Sequence, residues 1–480
     1  MASVISWISS ALYNYVLIIF LVLGGLYFTF RTKGAQFRLL GEQLKSVTEK
    51  SKDGKVSSFQ ALMVSTASRV GTGNIIGVST AICLGGFGSI FWMWIIAIVG
   101  GASALIESTL AQIYKRKGKD GGCYGGPAYY IEAGFKKYSF ARPLAIVFSI
   151  LLILTYGVGF NMLASYNLQS TFEVFNFYNT DITPWIIGGV VALFVGFCLF
   201  GGGKRIIKAT TLLVPIMGVA YILVSLIVVV LNMGTLPAVF GEIFRNAFDF
   251  GGMFGDTSTW EEFFAALTGS CVMLGIKRGL YSNEAGVGSA PNASASAEVS
   301  HPVKQGLVQV LSVFIDTLLV CSATAFMCMT SGVTPTPEIS GAQYVQQSLA
   351  ATFGDFGPIF ILIAMVLFAF TTLIGNLFYV DKAVIHILGK EPGKKFKVVY
   401  NVVASLLIFV GAGLSAGLLW DIADIFMGLM AIINIPVICI LGKYAFRAIK
   451  DYDKQRKQGK EPVFVAKNIG LPHDVDFWQE

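Results

Sequence analysis

The stretch STASRVGTGNIIGVSTAI, residues 65–82, gathers three glycines, an arginine, an asparagine and six hydroxyl side chains in a run whose hydropathy predicts a membrane-crossing helix. Glycine costs about 1 kcal/mol against alanine inside a helix, and unpaired backbone groups in hydrocarbon cost more still. Gly71, Gly73 and Gly77 therefore predict an unwound turn at bilayer depth. Such a turn is tolerated only where it lines a cavity or meets a ligand. The N–H groups that open the following half-helix suit a carboxylate, and the freed carbonyls of the preceding half suit an ammonium group or a sodium ion. One break thus offers both signs, as a zwitterionic amino acid and a cation require. The competing explanation is that the glycines only let helices pack closely.

A second interrupted segment holds TGSCVMLG at 268–275 and runs on into IKRGLYSNEAGVGSAP at 276–291. The elements around both breaks follow from composition. The chain has 480 residues, 55% hydrophobic and 13% charged, with a mean hydropathy of +0.69; a water-soluble chain carries roughly 25% charged residues. Charge is concentrated between long apolar runs, so the expected class is an all-α polytopic membrane protein. Eleven segments emerge, at 11–30, 57–84, 88–114, 142–172, 183–201, 207–232, 259–279, 302–331, 355–386, 396–417 and 420–447. The first is too long and continuous for a signal peptide and is read as a retained span.

Basic residues crowd every second loop: 31–56, 115–141, Lys204 and Arg205, Lys390 to Lys395, and the tail. The loop 332–354 has none and 233–258 only Arg245. The positive-inside rule then puts the N-terminus outside and the C-terminus in the cytoplasm of a plasma or inner membrane. The two broken segments are five spans apart and start on opposite sides. One extra helix plus two sets of five is the arithmetic of an inverted repeat, whose paired breaks mark a transporter's binding site. The division expected is 1–56 for the extra helix and basic loop, 57–232 for the first repeat, 233–258 for an extracellular loop, 259–447 for the second repeat and 448–480 for a basic tail.

Seven ordered motifs carry a family resemblance: VGTGNIIGVSTAI, GGFGSIFWMWIIAIVGG (85–101), GGPAYYIE (125–132), RGLYSNEAGVGSAP (278–291), FIDTLLVCSATA (314–325), LFAFTTLIG (367–375) and IADIFMGLMAI (422–432). With them the chain resembles the alanine or glycine:cation symporter family, of leucine-transporter fold, from about residue 59 to 445. The resemblance implies that Thr72, Gly73 and Asn74 face the substrate carboxylate. It implies sodium held by the carbonyls of Ala67, Val70 and Phe368 and the hydroxyls of Thr371 and Thr372, an oxygen set suited to a hard cation. Without it, those two hydroxyls bonding back to their own helix would be as good a reading.

Two departures bear on the pocket. Where small-substrate members read GFNSVQANSIA this chain has GFNMLASYNLQ (159–169), with Ala164 in place of glutamine. Where they read GWSYYGEK it has GNLFYVDK (375–382), with Asn376 in place of a tryptophan. A roomier pocket lined by Ala164, Met273, Gly275 and Asn376 would admit glutamine beside alanine and glycine; alternatively Tyr166 or Met273 refills the space.

Asp316 and Glu107 lie within spans, where carboxylates are functional by default. Asp316 either tunes a cation or proton site or bonds Thr317 or Ser322. Glu284 is read as a gate or cap at the cytoplasmic end of its span, paired with Arg278. His386 is read as a surface histidine, and residues 333–353 as a cap on the extracellular vestibule or an ordinary surface helix. The seven cysteines show no metal spacing. No HExxH, nucleophile–base pair or GxxxxGK[ST] loop appears, which excludes the enzyme and ATP-driven classes those motifs serve. The expected function is sodium-coupled uptake of a small neutral amino acid, with proton coupling as the alternative.

Overall fold

The computed structural model describes residues 2–49, 51, 55–118, 122–248, 271–471 and 475–479. The helices that matter are, in chain order, α1 (Ala2–Leu12), α2 (Ile18–Arg31), α3 (Ser58–Arg69), α4 (Gly73–Gly85), α5 (Gly88–Ile113), α6 (Ala141–Ser170), α7 (Thr183–Leu199) and α8 (Gly202–Leu231). They continue as α9 (Leu236–Ala247), α10 (Cys271–Asn283), α11 (Pro302–Met329), α12 (Ala342–Phe353), α13 (Phe356–Leu388), α14 (Lys394–Ala412) and α15 (Ala416–Lys457). The one sheet among the described residues is a ribbon pairing Arg116 with Tyr124 and Lys117 with Cys123.

Seven helices in the described residues are long and apolar enough to cross a membrane: α5, α6, α8, α11, α13, α14 and α15. On α8, Leu212, Ile216, Val219, Leu223, Leu226 and Val230 are exposed along one helical face. An apolar stripe of that length facing water would be an aggregation hazard; facing lipid it is the expected surface. This is a multi-pass membrane protein. By contrast α5 is buried all round from Gly100 to Ile113, as a helix at the centre of a bundle must be. It packs against α2, α10, α11 and α15.

Residues 249–270 lie outside the described residues, and with them the start of the seventh expected span. Of the second interrupted segment, 268–270 lie outside the described residues, and the unwinding falls in its later part, within 276–291. Cys271–Gly275 is helical, inside α10, and the chain unwinds instead over residues 284–290. There Glu284, Gly286 and Gly288 have φ of 54°, 84° and 91°, left-handed values that glycine meets without a Cβ clash. The expected boundary at 447 also falls inside α15. Beyond α15 the chain returns as a strap: Trp478 Nε1 donates to Gln112 O at 3.0 Å and Asp476 pairs with Arg116 at 2.8 Å. Nearby, the Lys304 and Lys45 ammonium groups hold the Glu461 carboxyl below its ordinary range.

Candidate functional site

The first break forms as the glycines predict. α3 starts on a capping box, with Gln60 N donating to Ser57 Oγ at 3.2 Å and Ser57 N to Gln60 Oε1 at 3.0 Å. It ends at Val70, whose ψ of 88° turns the chain out of the helix. After Gly71 and Thr72 the chain re-enters as a π turn, Gly73–Gly77, before α4 continues. Such turns cluster at functional sites. Close packing also holds: a Cβ on Gly71 would stand 2.0 Å from Thr372 Oγ1, and one on Gly73 2.6 Å from the Tyr281 ring. The two explanations are one fact, since the loop is bare so that α13 and α10 can reach it.

Thr372 Oγ1 crosses from α13 to donate to Ala67 O at 3.1 Å. Thr371 Oγ1 instead bonds its own helix, 3.0 Å to Leu367 O and 3.1 Å to Phe368 O. Ala67, Val70, Phe368, Thr371 and Thr372 are all buried; the structure joins Thr372 to Ala67 and, separately, Thr371 to Phe368. Thr72 Oγ1 accepts from Asn167 Nδ2 at 3.1 Å. Asn376 Nδ2 donates to Asn161 Oδ1 at 2.9 Å, and its Oδ1 lies 2.6 Å from the Ser68 hydroxyl. Asn161, Ala164 and Asn167 share a face of α6 at three-residue spacing, so Ala164 sits between the contacts to Asn376 and to Thr72. Met273 is half-buried. Gly275 belongs to the α10–α5 interface, where a Cβ would meet Ser89 O at 2.3 Å.

Several contacts differ from expectation. Glu284 is fully buried and does not pair with Arg278; it accepts from Ser289 Oγ at 2.6 Å and lies 3.1 Å from Ser68 Oγ of α3. A carboxylate there has two hydroxyls from the broken segments as partners, which a solvent-facing cap would lack. Arg278 and Lys277 turn to Asp424 of α15, at 3.8 Å and 2.7 Å. Arg278 also stacks over Trp420 at 3.8 Å. Below that pair Tyr281 sits between Phe160 and Trp420, ring centroids 4.7 and 4.8 Å apart, and covers Gly73. The first break is sealed on this side by an aromatic layer and an ion pair. Ser9 and Tyr13 of the first helical segment join the seal, with Lys277 Nζ 3.4 Å from Ser9 Oγ and 4.9 Å over the Tyr13 ring. Toward the other end of α3 a cavity of about 1220 Å³ is lined by Lys55, Gln60, Lys204, Lys208, Asp381 and Lys382 among others.

His386 is not a surface residue: its side chain is 4% exposed, with Nε2 2.8 Å from Glu132 and Nδ1 3.0 Å from Ser149 Oγ. Residues 342–353 form α12, which buries Tyr344, Val345 and Leu349; its start is tied to α4, Gly341 N donating to Ser79 Oγ at 3.1 Å. The helix buries one face and leaves Gln347 and Ala351 exposed. Asp316 bonds Thr317 as expected, at 2.8 Å, whereas Ser322 accepts from Trp94. The sequence reading missed Asp424, Tyr281, Ser68, Asn161 and Asn167. Asp424 was accessible to the intramembrane-carboxylate rule that picked out Asp316; the others show only once α6 and α10 are placed.

Comparison with known proteins accords with this geometry. The model of the sodium:alanine symporter family matches residues 1–466. The chain is 41% identical over 481 residues to the amino-acid carrier protein AlsT of Bacillus subtilis, covering 100% of this chain and 98% of that protein. It is 42% identical over 472 residues to the probable sodium/glutamine symporter GlnT of the same organism, covering 97% and 94%. It is 34% identical over 463 residues to the sodium/alanine symporter AgcS of Methanococcus maripaludis, covering 95% and 98%. A solved substrate-bound, outward-open Na+-coupled sialic acid symporter superposes with a TM-score of 0.50 at 15% identity, covering 92% of this chain and 86% of that one; that likeness is one of fold. The chain therefore belongs to the sodium:alanine symporter family, a transporter and not an enzyme, with sodium as its co-transported ion.

Proposed function

We propose that the protein couples inward sodium flow to uptake of a small neutral amino acid by alternating access, in an eleven-helix, five-plus-five inverted repeat of leucine-transporter type preceded by one extra helix. The reading takes 57–232 and 259–447 as the two repeats, with the N-terminus outside and the C-terminus in the cytoplasm. The sealed side is then the outer one and the lysine-lined cavity the inner. The observation that carries the reading is the hydroxyl of Thr372 on the carbonyl of Ala67: two elements distant in sequence bring oxygens together where the first break releases carbonyls. Sodium sits among Ala67, Val70, Phe368, Thr371 and Thr372, and the carboxylate of the amino acid faces Thr72 and Gly73. Ligand and ion share the broken segment, so each stabilises the other.

Glutamine joins alanine and glycine as a candidate substrate. Ala164 and Asn376 support it, as does the 42% identity to a protein named a probable sodium/glutamine symporter. Competition of unlabelled amino acids against labelled alanine and labelled glutamine orders them, and equal exclusion of glutamine from both assays removes it.

The coupling test is uptake into sealed vesicles. Replacing sodium by choline is expected to stop uptake, while a proton uncoupler with the sodium gradient clamped leaves it intact; the reverse outcome would replace sodium by protons. Thr372→Ala is expected to raise the half-saturating sodium concentration about tenfold, equivalent to about 1.4 kcal/mol. Thr371→Ala acts in the same direction and more weakly, because its hydroxyl is shared with its own helix. Unchanged sodium dependence in both variants removes the assignment.

A further inference from the structure

We infer that Asp316 is a positioning residue that ties the two breaks together, holding Asn74 of the first and Ser282 at the end of the helix that leads into the second; the inference rests on the transport reading above.

Asp316 is fully buried in a π-helical stretch of α11, Phe314–Cys321. Asn74 Nδ2 donates to its Oδ1 at 2.7 Å and to its backbone oxygen at 3.2 Å. Ser282 Oγ and Thr317 Oγ1 donate to its Oδ2 at 2.7 and 2.8 Å. The other amide atom of Asn74, Oδ1, accepts from Gly71 N at 2.8 Å. A continuous chain of bonds therefore runs from the Asp316 carboxylate through Asn74 to the glycine that separates α3 from α4. The same carboxylate grips α10 one residue before its last. With both amide atoms so used, Asn74 shapes the loop rather than presenting its own side chain to a carboxylate.

Glu284 makes a parallel link between Ser68 of α3 and Ser289 of the second break. Arg69, buried on α3, lies within electrostatic range of Asp316, Glu284 and Glu107. Its Nη1 donates to Gln309 Oε1 at 3.0 Å. One charged side chain thus comes from α3, from α5, from the turn after α10 and from α11. Hydrogen bonds to an ionised acceptor are roughly twice as strong as neutral ones, so a charged carboxylate at 316 strengthens the hold on Asn74, Ser282 and Thr317.

The test is Asp316→Asn, which keeps the shape and removes the charge. Half-saturating concentrations of amino acid and of sodium are expected to rise together by about tenfold. The maximal rate per transporter, counted by surface labelling, is expected to stay within twofold of wild type. Asn74→Asp combined with Asp316→Asn reverses the amide–carboxylate pair and keeps acceptors for Gly71 N–H, Ser282 and Thr317. It is expected to recover part of the lost affinity, the remainder being lost because a carboxylate at 74 cannot donate to the main-chain oxygen of residue 316 as Asn74 Nδ2 does. Ser282→Ala leaves every charge in place and should raise both constants two- to fivefold, keeping the idea testable should Asp316→Asn fail to accumulate. Unchanged constants in Asp316→Asn, or in Ser282→Ala where that variant stands in for it, overturn the inference, as does a double variant no better than the single. Loss of sodium dependence in the wild-type protein would instead overturn the transport reading, so the two failures are distinguishable.

Discussion

Gly71→Ala is expected to reduce sodium-driven uptake at least a hundredfold while the protein still reaches the membrane. The added Cβ would lie 2.0 Å from Thr372 Oγ1, 3.1 Å from its Cβ and 3.3 Å from its Cγ2, so the clash is with the root of a β-branched side chain that has little freedom to turn away. α13 must retreat or Thr372 must release Ala67 O, and either change dismantles the oxygen cluster proposed for sodium. Overpacking of this kind costs about 1–3 kcal/mol, and a hundredfold loss of affinity corresponds to about 2.7 kcal/mol. Adding Thr372→Ala should relieve the clash and restore thermal stability without restoring sodium affinity. Gly218→Ala on α8 is the control, since nothing lies within 4 Å of its Cβ position. Uptake against sodium concentration in proteoliposomes decides the matter: a Gly71→Ala curve that overlays wild type contradicts the proposed site.

The second large effect is expected of Asp424→Ala. Asp424 is 0% exposed, and the side chains of Lys277 and Arg278 are 12% and 7% exposed. Removing the shared carboxylate leaves two cations with little access to water. Breaking a buried pair from one side costs about 3–5 kcal/mol, so unfolding in mixed micelles should move by that amount. Adding Lys277→Met removes one of the stranded charges and is expected to return part of the loss. The variant is also expected to loosen the layer formed by Phe160, Tyr281 and Trp420, seen as faster labelling of a cysteine placed at Trp420 by an impermeant reagent added outside. An unfolding curve like that of wild type would mean that the pair is solvated and no seal.

What could be read before the structure was what local chemistry dictates. The first break was legible because Gly71, Gly73 and Gly77 fall in one helical window. The second was legible only as a long run, because TGSCVMLG and NEAGVGSA carry similar local signals, and the packing of α10 on α5 decides that Gly275 stays helical and the unwinding falls at 284–290. Intramembrane carboxylates announce themselves, which is how Asp316 was found, but their partners do not. Nothing in the spacing of Arg278 and Glu284 reveals that the arginine reaches 146 positions onward to Asp424 instead. The Asn161–Asn376 contact is of the same kind, being set by how α6 crosses α13. His386 was misread because an isolated histidine has no periodic signature, and its burial depends on Glu132 and Ser149 arriving from two other helices.

Ser9 and Tyr13 belong to the helical segment that precedes the two proposed repeats, yet both contact Lys277 of the seal. A brace on one door alone would, in the orientation proposed above, bias the carrier toward the form with that door closed.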